Sequence, residues 1–243
     1  ASAGIQGAGL SFGGNGNSTV TEEFNGSTWT NGGSLNTGRS GLAGTGTQNA
    51  AVSINGDNGS VALNVTEKYN GSSWTNVSSP GSTARSSSGA SGVFNAALNF
   101  GGTTNFSSNS AITEKFDGSV WTATGSLNTA RVSISGTGGQ NAAISTGGYL
   151  YPSATRLTTV EVFNGSTWSY GPTLNVTQGD GSGMSGTVNS ALAFGGGNAG
   201  GFTNRTEKFN GNVWFLVSLL STGRVGLGGC GSANSGLAFG GYT

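Results

Sequence analysis

Apolar positions along this chain come in short runs that stop at glycine, and no stretch carries the period of an amphipathic helix. One such run, GLSFGG (residues 9–14), returns as AALNFGG (96–102), SALAFGG (190–196) and SGLAFGG (235–241), with AAVSING (50–56) and AAISTGG (142–148) as weaker copies. Short or alternating apolar runs closed by Gly-Gly predict a strand ending in a turn that needs positive φ. A second element repeats almost letter for letter. TEKYNGSSW (66–74) reappears as TEEFNGSTW (21–29), TEKFDGSVW (113–121), VEVFNGSTW (160–168) and TEKFNGNVW (206–214). Strand-prone residues flank Asn-Gly or Asp-Gly in every copy, which predicts two antiparallel strands joined by a type I′ turn with positive φ at both central residues.

A third element follows each hairpin: GSLNTGR (33–39), GSLNTAR (125–131) and SLLSTGR (218–224), with SPGSTAR (79–85) a looser copy and TLNVTQG (173–179) lacking the arginine. It leads into a run of very small residues, such as SGLAGTG (40–46), VSISGTG (132–138) and VGLGGCG (225–231). Glycine packs little and weakens a strand, so such a strand suits the place where several strands crowd together, the innermost position. Successive Trp residues lie 45 to 47 positions apart, a period that marks a repeat architecture. Four short strands per period predict an all-β, five-bladed β-propeller of four-stranded antiparallel blades, one domain over residues 1–243, with repeats centred on Trp29, Trp74, Trp121, Trp168 and Trp214. The glycine-closed strand occurs six times and the Trp hairpin five times. The expectation is a ring closed by pairing the C-terminal strands (224–241) with the hairpin at 21–29, leaving residues 1–14 redundant; the alternative is six positions with one blade incomplete.

The order Gly101, Gly102, Glu114, Phe116, Trp121, Arg131 resembles the kelch-like β-propeller repeat, and the other units follow it over essentially the whole chain. The wording EKFNGSxWTxxGSLNTxR with TQNAALxFGG is similar to kelch-like repeats in virion structural proteins of marine bacteriophages. That resemblance implies a virion surface or extracellular location.

Composition narrows the chemistry. Nine basic and nine acidic residues leave no net charge, and no run of like charge appears, so the electrostatic footprint of nucleic-acid binding is missing. With no histidine and one cysteine, Cys230, the usual nitrogen ligands for zinc, copper or iron are absent and an internal disulfide is excluded, so no metal or other cofactor is expected. No run is long and apolar enough for a membrane helix, so no membrane insertion is expected, and the chain reads as a mature protein or an excised piece. Asn25, Asn70 and Asn164 head sequons that coincide with the hairpin turn, which accounts for them. Half of all charges are the repeat residues Glu22, Glu67, Glu114, Glu161, Glu207, Arg39, Arg85, Arg131 and Arg224. Recurrence in successive units points to a structural task, pairing arginine with carboxylate or carbonyl between blades. Asp57 and Asp180 are irregular acids, but carboxylates spread round a ring do not make the facing pair that glycoside hydrolysis needs, and a Ser or Cys nucleophile would lack a histidine base. No enzyme activity is expected.

Recognition is sought where the repeats refuse to repeat. The segment from the second Gly of the Gly-Gly to the Glu varies from 8 to 13 residues, whereas the Trp to Gly-Gly interval stays at 27 or 28. Unequal loops on a rigid frame are where binding resides. They carry Phe106, Tyr149, Tyr151, Arg156, Phe202 and Arg205 as candidate ligand-binding residues, a mixture able to stack on a sugar and hydrogen-bond its hydroxyls. The chain is expected to be a non-catalytic module that binds a cell-surface glycan or another virion protein, with a glycan-binding propeller lectin as the alternative.

Overall fold

The structure is a computed structural model that describes residues 1–77, 83–198 and 200–243; part of the looser SPGSTAR copy lies outside the described residues. Its strands form a β-propeller with five four-stranded antiparallel blades, and no helix occurs among the described residues. The first blade holds β1 (Ser2–Ile5), β2 (Ala8–Phe12), β3 (Thr21–Phe24) and β4 (Trp29–Asn31). The second holds β5 (Ala43–Thr47), β6 (Ala50–Ile54), β7 (Thr66–Tyr69) and β8 (Trp74–Asn76), and the third β9 (Gly89–Val93), β10 (Ala96–Phe100), β11 (Thr113–Phe116) and β12 (Trp121–Thr124). In the fourth, β13 (Ser135–Gly139) and β14 (Ala142–Thr146) pair onward to β17 (Val160–Phe163) and β18 (Trp168–Tyr170), with the small hairpin β15 (Tyr149–Leu150) and β16 (Thr155–Arg156) between them. The fifth repeats that plan with β19 (Gly183–Thr187), β20 (Ser190–Phe194), β23 (Thr206–Phe209) and β24 (Trp214–Leu216), and with a small hairpin of β21 (Gly197–Asn198) and β22 (Gly201–Phe202).

Closure differs from the expectation. Residues 1–14 are not redundant: β1 and β2 are the inner half of the first blade, with Phe12 opposite Thr21 and Gly9 opposite Phe24. The C-terminal strands β25 (Gly228–Gly231) and β26 (Gly236–Phe239) pair only with each other. They occupy a sixth position. β25 touches β19 on one side and β1 on the other, so the small-residue strands β1, β5, β9, β13, β19 and β25 close a ring round the axis. The physical reason is proximity along the chain, since β2 reaches β3 through a short loop and sequential strands pair first, which leaves β26 without that edge.

Small residues are needed on this inner ring because the Phe of each Phe-Gly-Gly lies across it. A Cβ on Gly136 would fall 2.2 Å from the Phe100 ring, an impossible approach. The apolar core is divided into four clusters, one at each junction between consecutive blades. The repeat tryptophans anchor these junctions. Trp74, Trp121, Trp168 and Trp214 are buried, and the indole N–H of the first three donates to the hydroxyl of Thr21, Thr66 and Thr113 in the preceding blade at 2.9–3.0 Å. Trp29, the remaining repeat tryptophan, is only partly covered, because its preceding neighbour is the two-stranded sixth position, where it meets Phe239 at 4.9 Å.

The outer hairpin turn also differs from the expectation. Gly71 has φ of 91°, but Asn70 is not among the positive-φ residues, so the turn is not type I′. Instead the Asn70 side-chain oxygen accepts the N–H of Ser72 at 3.0 Å and of Ser73 at 2.9 Å, an Asx turn that spans four residues between Tyr69 and Trp74. Asp117 makes the same pair of bonds, which explains why a carboxylate substitutes there and why those backbone N–H groups hold its pKa below the usual range.

Candidate functional site

The arginine-bearing connections and the unequal loops share one face of the ring. Short bridges tie them together, Ser40 with Asp57, Ser86 with Thr103, Val132 with Tyr149, Gly179 with Gly197 and Val225 with Tyr242. The first four connections each run from one blade to the next and hold the following blade's repeat glutamate. Asn36 N–H donates to Glu67 at 2.7 Å, Thr37 N–H at 3.2 Å and the Arg39 guanidinium at 2.9 Å. Arg85 meets Glu114 at 2.7 Å and Arg131 meets Glu161 at 3.2 Å, with all three guanidinium groups fully buried. Burial lowers the pKa of all three arginines, and the partner carboxylates oppose that shift. Glu207 accepts from Asn175 and Val176 N–H but has Gln178 where the others have arginine. Two repeat residues depart from this task among the described residues. Glu22 is exposed and makes no such pair, and Arg224 has no carboxylate, reaching only the Gly240 carbonyl at 3.2 Å.

On the same face the axis opens into a cavity of about 470 Å³, lined among others by Ser87, Ser133, Tyr149, Asp180 and Tyr242. The fourth-blade loop contributes Tyr149 to its wall, and Tyr151 and Arg156 stand behind that residue and Asp180. Tyr149 and Tyr151 pack edge to face with ring centres 5.0 Å apart, and burial, with the Tyr151 contact adding to it, pushes the Tyr149 phenol pKa up. Arg156 grips Asp180 through Nη2 at 2.5 Å and Nε at 2.7 Å, both side chains about one-third exposed. Asn109 of the third blade exchanges two hydrogen bonds with the backbone of Tyr151, at 2.9 and 3.1 Å, and so fixes the loop against its neighbour.

Of the candidates from sequence, the structure thus brings together Tyr149, Tyr151 and Arg156. Phe106, with φ of 59° and half exposed, lies on the third-blade loop; Phe202 and Arg205 are exposed on the fifth. No hydrogen bond, ion pair or ring contact joins these three side chains to the group among the described residues. Sequence reasoning missed Asp180, Asn109 and Tyr242. The signal for Asp180 was present, since it follows the one connection that lacks its arginine and supplies a charge pair there in another form. Asp57 is saturated by Ser40 and Ser86 hydroxyls at 2.9 and 2.6 Å and by Gly59 N–H at 2.9 Å.

The opposite face carries the Asx turns and lysine ties. Lys68 reaches Asn95 and the Gly118 carbonyl of the next blade, and Lys115 reaches Asn141 and the Gly165 carbonyl. There the axial cavity is smaller, about 160 Å³, bounded by the six inner strands.

Fold and site together define the class: a β-propeller with a neutral, hydroxyl-rich loop face. No protein-family model matches the chain, and no curated protein is similar to it.

Proposed function

We propose that this propeller is a non-catalytic binding module whose loop face takes a ligand at the axial mouth. The observation that carries the reading is the grouping of Tyr149 and Asp180, which line a 470 Å³ opening, with Tyr151 and Arg156, which pack against them. The repeat glutamates Glu67, Glu114, Glu161 and Glu207 are committed to holding connections, which leaves them no part in proton transfer at this mouth. The kelch-like repeat wording and its similarity to phage virion proteins support a virion surface or extracellular setting, with a host surface or another virion protein as the target. A glycan is the ligand class favoured by chemistry, since an aromatic pair beside a partly exposed guanidinium and carboxylate supplies both stacking and hydrogen bonds for a sugar. A glycan array, with negative-stain imaging of the parent particle, separates a carbohydrate target from a protein one. Replacing Tyr149, Tyr151 and Phe202 together by serine is expected to abolish attachment while circular dichroism keeps its β signature; attachment retained by that variant contradicts this location.

A further inference from the structure

One connection of the ring is a residue longer than the rest. Arg39, Arg85, Arg131 and Arg224 stand four positions before the inner strands that begin at Ala43, Gly89, Ser135 and Gly228, whereas Gln178, their counterpart, stands five before Gly183. Backbone bonds fix where the extra residue lies. Gly179 bridges to Gly197 as Val132 does to Tyr149, and Gly181 N–H donates to the Ser133 carbonyl as Ser133 N–H does to that of Ser87, so the insertion between them is Asp180. It lines the axial mouth with φ of 52°, together with Ser133 at 51° and Ser87 at 56°. Residues with a Cβ seldom adopt that backbone, and glycine keeps the place of Ser87 and Ser133 at Gly41 and Gly226. Polar side chains held in left-handed backbone around an opening mark it as a place where a ligand is met.

Those side chains have bonding capacity to spare. Arg156 takes only Oδ2 of Asp180, so Oδ1 keeps no donor, Ser133 Oγ makes no hydrogen bond, and Ser87 Oγ has only a 3.4 Å contact with Ser86, all among the described residues. Next along the chain from Ser133, Ile134 lines the same cavity and, with Leu42 and Leu227, the smaller one of about 130 Å³ that follows it along the axis. An acceptor, a donor and an aliphatic surface therefore meet around one short stretch of the rim, with the half-buried ring of Tyr149 beside them. We propose that this mouth selects the acetamido group of an N-acetylated sugar, its amide N–H donating to Asp180 Oδ1, its carbonyl oxygen accepting from Ser133 Oγ, its methyl lying against Ile134 and its pyranose ring on Tyr149. This selectivity rests on the glycan reading of the mouth and narrows it to one class of sugar. A plain hydroxyl at the same carbon sets a polar group against Ile134, and a free amine brings a second cation beside Arg156.

The test titrates the whole chain, by calorimetry or ligand-observed NMR, with the methyl glycosides of glucose, galactose and mannose, each carrying hydroxyl, amino or acetamido at carbon 2. At least one acetamido member is expected to bind saturably and at least about tenfold more tightly than its hydroxyl and amino counterparts. Asp180→Gly and Ser133→Gly then remove the two polar groups at positions whose left-handed backbone glycine adopts freely, so circular dichroism and melting temperature should hold. Each variant is expected to cut the acetamido preference at least about threefold. Equal binding of acetamido and hydroxyl members, tightest binding of an amino member, or a preference that survives either glycine variant intact overturns the selectivity and leaves the glycan reading standing. Absence of binding by all of these glycosides also overturns the selectivity, and a blank glycan array then removes the glycan reading with it.

Discussion

Trp214 is the buried tryptophan whose indole N–H finds no acceptor among the described residues. In the three preceding junctions a threonine hydroxyl fills that place, but the fourth unit reads Val-Glu-Val-Phe and puts Val160 there, fully buried. Restoring the hydroxyl should help despite the usual cost of burying one, because the donor already waits unsatisfied. Val160→Thr is expected to raise unfolding free energy by about 0.5 to 1.5 kcal/mol in urea titration; a loss of about that size would show that Trp214 does not sit as described. The departure itself was visible as one letter in a repeat. Its meaning was not, since the threonine's partner lies 53 to 55 residues further along, in the next blade.

Among the elements, the connections carry the electrostatic load. A buried guanidinium tolerates its site only while the facing carboxylate is there, and taking away one partner of such a pair costs about 3 to 5 kcal/mol. Glu161→Ala should therefore destabilise the protein by about that much in denaturant titration, whereas Glu22→Ala, at the exposed and unpaired copy, should stay within about 0.5 kcal/mol. Equal effects at both sites would mean that the glutamates act through local strand preference and not through the arginines. Strand order and hairpins were legible here because Gly-Gly and Asn-Gly punctuate them. The turn geometry was not, since Asn-Gly permits both a two-residue turn and an Asx turn, and only the Phe-to-Trp register decides. The mouth was half legible: loop-length variation singled out Tyr149, Tyr151 and Arg156, but the pairing of Arg156 with Asp180, 24 residues on, depends on how two blades abut.

At the scale of the whole molecule, six inner strands close the ring while five blades are complete. The mismatch between six glycine-closed strands and five Trp hairpins announced an irregular closure, but a repeat count cannot say which half-unit pairs with which, because every copy offers the same edge. Closure brings the first blade against β25, so that a Cβ on Gly9 would lie 3.6 Å from Cys230 Sγ although 221 positions separate them. A disulfide holds the Cβ of one cysteine somewhat closer than this to the sulfur of the other, so a small shift of either side chain closes the bond. Burial pushes the Cys230 thiol up to about 11, so oxidation should be run with a mild oxidant at raised pH. The direct test of the six-position ring is the yield of an intramolecular disulfide in Gly9→Cys, mapped by mass spectrometry on protein folded before oxidation. The ring predicts a nearly complete link between the introduced thiol and Cys230, with a raised melting temperature; two free thiols, or links only between molecules, would contradict it.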